Sequence, residues 1–279
     1  MVGISADSTC DLSQQLLQQY NIAITPLHIL CNGNSYRDGE EISPEQLFSL
    51  VEGTDALATT AAVSVGEYLD FFSARQKQYD ALIHFTISSE MSSCYINACV
   101  AAEDMEHVYI IDSRSLSTGI GHLVLDAALM AVQGCPAAEI VQCLEKKKEK
   151  LDVSFMLHTL DYIRRGGRCS ALTAMGANLL HLRPCISVKD GVMGVEKKYR
   201  GSLGSALIKY TKDKLADVKT IDTSRVFITH STIPEEIVDI VKKTVLECVP
   251  FESIYCTSAG CTISNHCGPN CLGVLFYRK

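Results

Sequence analysis

Ala81-Leu-Ile-His-Phe-Thr-Ile87, then Ser88-Ser-Glu-Met-Ser-Ser93, then Cys94-Tyr-Ile-Asn-Ala-Cys-Val100 is the stretch that decides the fold class. The apolar run predicts a strand over 81–87, the serines a turn, and the following residues a helix over 93–105. A further strand over 108–111 ends at Asp112-Ser113. A strand that passes through a turn and a helix into another strand is the unit of a largely parallel sheet.

Moving toward the N-terminus, residues 2–6 read as a short buried strand running into Asp7-Ser-Thr9. Asp11, with Gln14 three residues on, reads as the N-cap of a helix over 13–20, and 22–31 as a second strand. Ser43-Pro-Glu-Gln46 and Ser64-Val-Gly-Glu67 are capping-box sequences that open two more helices. On the C-terminal side, an apolar helix over 118–132 stops at Gly134, and Pro136 opens another that ends near 150. Asp7-Ser-Thr9, Ser88-Ser89 and Asp112-Ser113 all fall at carboxyl ends of strands, where the functional loops of such sheets lie.

From about 151 the pattern changes. A strand over 153–157 leads into Tyr162-Ile-Arg-Arg-Gly-Gly-Arg-Cys-Ser170 and a helix over 171–181. A hairpin over 185–198 turns at Lys189-Asp-Gly191, since Asp-Gly favours a two-residue turn. Helices over 203–215 and 234–248 and strands near 226–229, 254–257 and 274–277 follow. The expectation is α/β with two domains. Residues 1–152 form an α/β domain with a largely parallel sheet flanked by helices; residues 153–279 form an α+β domain with a mixed or antiparallel sheet. The arginine-glycine stretch has two readings. It is a helix C-terminus in which cations offset the dipole and glycine ends the helix, or it is an anion clamp built on the planar donor fork of Arg168.

Composition narrows the function. A net charge of −7 over 279 residues argues against a general nucleic-acid binder, whose affinity comes from neutralising phosphates. No apolar run approaches the ~20 residues of a membrane-spanning helix. Met1-Val-Gly-Ile-Ser5 lacks the basic and apolar blocks of a secretory signal, so a cytoplasmic location is expected. Thirteen cysteines without any C-x-x-C spacing suit reduced, buried thiols better than a disulfide framework. Cys256, Cys261, Cys267 and Cys271 with His266 are the one group worth weighing as a metal site, but their spacing is irregular.

The chain has no Gly-x-x-x-x-Gly-Lys-Ser/Thr loop, no Gly-x-Ser-x-Gly elbow and no His-Glu-x-x-His pair. It offers hydroxyl-rich turns instead. Thr59-Thr60 precedes one capped helix, Ser92-Ser93 another whose free amides suit an anion, and His266 lies in Asn265-His-Cys-Gly-Pro-Asn270. Hydroxyls, helix-start amides and a histidine can together bind a carboxylate, although each alone is more often a cap or a turn.

On these residues the sequence resembles the DegV family of bacterial fatty-acid-binding proteins. The matching segments are Asp7-Ser-Thr-Cys-Asp-Leu12, Pro26-Leu27, Tyr36-Arg-Asp-Gly39 and Ser64-Val-Gly-Glu67 preceded by Thr60. They continue with Ile87 to Tyr95, Asp112-Ser113, the arginine-glycine stretch, Arg200, and His266-Cys-Gly-Pro-Asn-Cys-Leu-Gly273. The resemblance implies a two-domain fold that holds one long-chain fatty acid, such as palmitate or oleate, in an interior tunnel, with no further cofactor and no metal. It implies a lipid-presenting subunit rather than an enzyme in its own right. An ATP-dependent fatty acid kinase subunit would phosphorylate the bound carboxylate for phospholipid synthesis, and transient contact with a membrane surface would serve lipid exchange. Carried over by position, Thr60, Ser92, Ser93 and His266 bind the carboxylate, and Arg168 and Arg200 engage the kinase. The sequence departs from the family at Thr60-Ala-Ala-Val63, at Ser93 and Cys94, and at Asn270. Two rivals stay open: a phosphotransferase substrate subunit related to dihydroxyacetone kinases, with a histidine holding substrate covalently, and a cysteine-rich metal or redox protein.

Overall fold

The computed structural model of the chain describes residues 1–51, 58–169 and 182–279; the helix expected over 171–181 lies outside them. The chain divides into two compact units: Met1–Glu149 with Gly260–Thr262, and Lys150–Ala259 with Ile263–Lys279.

The first unit runs β1 (Val2–Asp7), α1 (Gln14–Gln19), β2 (Ala23–Thr25), β3 (His28–Cys31), β4 (Asn34–Arg37), α2 (Pro44–Val51), β5 (Thr59–Ala61), α3 (Val65–Gln76), β6 (Ala81–Thr86), α4 (Cys94–Ala101), β7 (Val108–Asp112), α5 (Thr118–Val132) and α6 (Ala137–Lys147). Four strands form a parallel sheet in the order β2-β1-β6-β7, and β4-β3-β5 form a separate antiparallel sheet. The two inner strands are apolar because both faces are covered: β1 and β6 are each buried over five of six residues. Helix α5 is buried continuously from Thr118 to Ala128. Gly121 lets it approach the turn after β1, where a Cβ would come within 2.8 Å of the Leu12 side chain.

Two local expectations are corrected. The single strand over 22–31 is two strands in different sheets, β2 and β3. Pro26, which cannot donate to a ladder, stands at the break. Asp11 does not cap α1; Ser13 does, accepting from the Leu16 amide at 3.3 Å. Asp11 takes a left-handed φ of 50° and turns inward, where its carboxylate accepts from the Gly260 amide at 2.8 Å and the Ser117 hydroxyl at 2.5 Å. Asp38 acts alongside it, accepting from the amides of Cys261 at 2.7 Å and Thr262 at 3.1 Å and from the Ser8 hydroxyl at 3.0 Å. These two buried carboxylates hold Gly260–Thr262 within the first unit. Both capping boxes form as expected, at Ser43/Gln46 and Ser64/Glu67.

The second unit runs β8 (Leu151–Met156), α7 (Asp161–Gly166), β9 (Leu182–Lys189), β10 (Val192–Arg200), α8 (Leu203–Lys214), β11 (Ile221–Ser231), α9 (Glu235–Cys248), β12 (Ser253–Ser258), α10 (Cys261–Cys267, its first two residues in the first unit) and β13 (Cys271–Arg278). Its six strands form one mixed sheet in the order β10-β9-β8-β13-β11-β12, antiparallel except for the pair β11–β12. Asp190 and Gly191 make the two-residue turn with φ of 51° and 79°, and Lys189 pairs with Val192. Ala206, Leu207 and Tyr210 of α8 and Val238, Val241 and Val245 of α9 pack on Ile228, Val274 and Phe276 of the sheet. Each valine, leucine, isoleucine or phenylalanine side chain buried there contributes ~1.5–3 kcal/mol.

Candidate functional site

In the first unit Ser92 and Ser93 follow the carboxyl end of the parallel strand β6, whereas Thr60 lies in the antiparallel strand β5. Asp7 closes β1. Its carboxylate accepts from the Thr9 hydroxyl, from the Thr9 amide at 3.2 Å and, across the sheet, from the Ile87 amide at 2.8 Å. Burial pushes the Asp7 pKa up to about 6 despite those three donors. The turn from Ile87 to Ser93 is then fixed from β7. The Asp112 carboxylate accepts from the Ser89 hydroxyl at 2.6 Å and the Ser89 amide at 3.2 Å. Arg114 adds bonds to the Ser89 hydroxyl at 3.2 Å and to Glu90 at 3.0 Å.

This framework presents Ser92 and Ser93 at the head of α4. The half-buried Ser92 hydroxyl accepts from the Cys94 amide at 3.3 Å and lies 3.3 Å from the Cys94 thiol, whose pKa burial pushes up to about 11. Ser93 occupies the N-cap position, yet its exposed hydroxyl makes no capping bond. Thr60 is half-buried in β5, paired with Ile29 of β3. Asn97 of α4 donates to the Val63 carbonyl at 2.8 Å, which ties the loop after Thr60 to the helix that follows Ser92-Ser93. Arg114 and Asn97 are therefore supports that the sequence alone did not single out. Asp112 stood in a strand-end motif; nothing local distinguished Asn97.

In the second unit the arginine-glycine stretch resolves into a helix end. Gly167, at a φ of 67°, terminates α7 and donates to the carbonyls of Ile163 at 3.2 Å and Arg164 at 3.3 Å. Arg168 folds back to donate to the Gly166 carbonyl at 2.7 Å, satisfying a carbonyl that the helix cannot. His266, in the last turn of α10, lies directly against Gly166, with Nδ1 2.1 Å from where a Cβ would stand. Burial, followed by the Arg168 charge, pushes the His266 pKa down to about 4. The imidazole is thus neutral at physiological pH.

The structure brings Arg168 beside His266. It places Arg200, exposed, at the end of β10 opposite Leu182. One residue along that ladder Arg183 donates to His158 Nδ1 at 2.6 Å and to the Gly201 carbonyl at 3.2 Å, a basic pair that no sequence motif announced.

All 13 cysteines carry free thiols. Among the described residues no group of three or more histidines, cysteines or carboxylates is arranged to hold a metal ion. Cys256 is exposed on β12, whereas Cys261 is buried and donates to the Ile42 carbonyl at 3.2 Å. Cys267 and Cys271 are buried side by side. Among the described residues no helix is long and apolar enough to cross a membrane.

The model of the DegV family of uncharacterised proteins matches residues 1–279. The chain belongs to the DegV family. A DegV domain-containing protein of Caldanaerobacter subterraneus subsp. tengcongensis is 30% identical over 283 residues, covering 100% of this chain and 99% of that one. A solved DegV family structure from Thermus thermophilus, described for its fatty acid binding, superposes with a TM-score of 0.92 at 26% identity, covering 100% of this chain and 99% of that one. A stearic acid-binding protein from Eubacterium ventriosum gives 0.87 at 26% identity with the same coverage. Family membership and fold agree with the resemblance read from the ordered motifs.

Proposed function

We propose that this protein binds one long-chain fatty acid, of the palmitate or oleate class, in an interior tunnel and presents its carboxylate to a partner kinase. The observation that carries this reading is the full-length likeness, at a TM-score of 0.92, to a DegV structure described for its fatty acid binding. In this reading Thr60, Ser92 and Ser93 donate hydroxyl hydrogen bonds to the carboxylate, and His266 donates from a neutral imidazole. A buried carboxylate without partners would be costly, so the donors are needed. The acyl chain supplies most of the affinity, at ~0.8 kcal/mol per methylene removed from water.

Neutral donors also suit presentation to a kinase. A bidentate arginine would neutralise the carboxylate and draw electron density from the oxygen that must attack phosphorus. Hydroxyls and a neutral histidine hold the group while leaving its charge available. The chain itself would make no covalent bond. A separate ATP- and Mg²⁺-dependent subunit would transfer the phosphoryl group, giving an acyl-phosphate for phospholipid synthesis in the cytoplasm. Arg168 and Arg200 are assigned to engage that subunit, and brief contact with a membrane surface would reload the tunnel.

The test is organic extraction and native mass spectrometry of the purified protein. A co-purified acyl chain is expected; an empty protein that also refuses labelled palmitate and oleate refutes the reading. Thr60→Ala should weaken lipid retention, while Arg168→Ala should keep the lipid but slow phosphoryl transfer by the kinase. The reverse pattern would show these roles to be misassigned.

A further inference from the structure

The two adjacent glycines of the arginine-glycine stretch do different work. Gly167 ends α7 through its left-handed φ of 67°. Gly166 is still helical, where a glycine is ordinarily a cost of ~0.5–1 kcal/mol relative to alanine. Its reason lies outside the helix. A Cβ on Gly166 would stand 2.1 Å from His266 Nδ1, 3.0 Å from Cε1 and 3.2 Å from Cγ, so the imidazole occupies the volume a side chain would fill.

A second contact of the same kind lies one turn earlier on the same face of α7, since residues four apart are neighbours on a helix. Tyr162 packs its ring over Gly268, where a Cβ would be only 2.4 Å from Cδ2. Gly268 follows His266 by two residues, at a φ of 74°. A ring from the last turn of α10 thus sits on a glycine of α7, and a ring from α7 sits on a glycine of the turn that follows α10. Two reciprocal contacts resist sliding and rotation in a way that one would not.

We propose that Gly166 is a positioning residue for the carboxylate-binding site, admitting His266 against the α7 backbone and so setting where its imidazole points. This rests on the assignment of His266 as a carboxylate ligand. Non-bonded carbon and nitrogen atoms rest at ~3.5 Å, so an alanine at 166 must displace the ring or the helix by more than ~1 Å. Displacements of that size at a reacting group cost on the order of 100-fold. For a hydrogen bond to a bound carboxylate a loss of about tenfold is expected.

The experiment uses the full chain, stripped of lipid and titrated with radiolabelled palmitate, in four forms: native, Gly166→Ala, His266→Ala and the double variant. Gly166→Ala should bind about tenfold more weakly and shift the His266 ring resonances in the NMR spectrum. The double variant should bind no more weakly than His266→Ala, because the ring that Gly166 positions is already gone. It should also melt at a higher temperature than Gly166→Ala, since removing the imidazole vacates the space the new methyl needs. Native-like palmitate binding and unshifted His266 resonances in Gly166→Ala would overturn the proposal, as would two losses that multiply in the double variant. If Gly166→Ala does not fold, recovery of folding in the double variant supports the contact, and its absence overturns it. If His266→Ala binds palmitate normally, the ligand assignment has failed, and the melting rescue still decides whether Gly166 seats the ring.

Discussion

Asp38 offers the sharpest test of how the first unit is held together. Asp38→Ala leaves the amides of Cys261 and Thr262 without their acceptor, at residues that are almost wholly buried. The Ser8 hydroxyl loses the same partner while still accepting from the Leu27 amide at 3.1 Å. Each stranded buried donor costs ~1–3 kcal/mol, so the two amides together imply a loss of about 2–6 kcal/mol. Taking about 3 kcal/mol and a urea slope of ~2 kcal/mol/M, the unfolding midpoint falls by about 1.5 M. Asp38→Asn keeps one acceptor oxygen and should lose about half as much. The chain has no tryptophan, so unfolding is followed by far-UV circular dichroism, with amide exchange of the 258–264 segment as the local probe. Faster exchange there and the graded order native, Asn, Ala are expected. A loss below ~1 kcal/mol for Asp38→Ala, or an Asn variant as damaged as the Ala variant, would show that this carboxylate does not hold the segment.

Two further predictions concern pH. Burial raises the Asp11 pKa to about 8, so its contribution to stability is complete below the ordinary carboxylate range and is lost as pH rises from about 4 to 8. Asp11→Asn should therefore gain on the native protein across that window, by up to ~1.4 kcal/mol per pH unit, and equal pH profiles for the two proteins would refute the burial argument. His84 runs the other way: enclosed by Tyr68, Phe71 and Phe72, its pKa is pushed down to about 3 by burial, so stability is complete above ~6.5 and falls as pH drops toward 3. His84→Phe should flatten that acid limb in pH-dependent melting, and an unchanged slope would show the histidine to be hydrated.

Much of the fold was legible because it is written in local chemistry. Ser64 with Glu67, Ser43 with Gln46 and Asp190-Gly191 each form the structure their spacing implies, since every bond involved closes within three residues. Asp11 misled because an acidic residue ahead of a helix is normally a cap; its carboxylate instead meets an amide 249 positions away. The candidate hydroxyls were legible as residue types just ahead of two helices. Their supports, such as Asn97 on Val63 and Arg114 on Glu90, join elements whose adjacency only the sheet order establishes.

What the sequence by itself determined is most of the succession of strands and helices, several caps and turns between them, and membership of the DegV family, because these rest on residue type and short spacing; the break at Pro26 and the small sheet β4-β3-β5 it did not give. It left the arginine-glycine stretch open between helix terminator and anion clamp. Tertiary structure showed Arg168 and Gly167 closing α7 and gave Gly166 a distinct place beneath an imidazole 100 positions along the chain. The role of a missing side chain is set by what occupies its space. That occupant, like the acceptors chosen by Asp11 and Asp38, is fixed only when distant segments pack and each buried donor must find a partner.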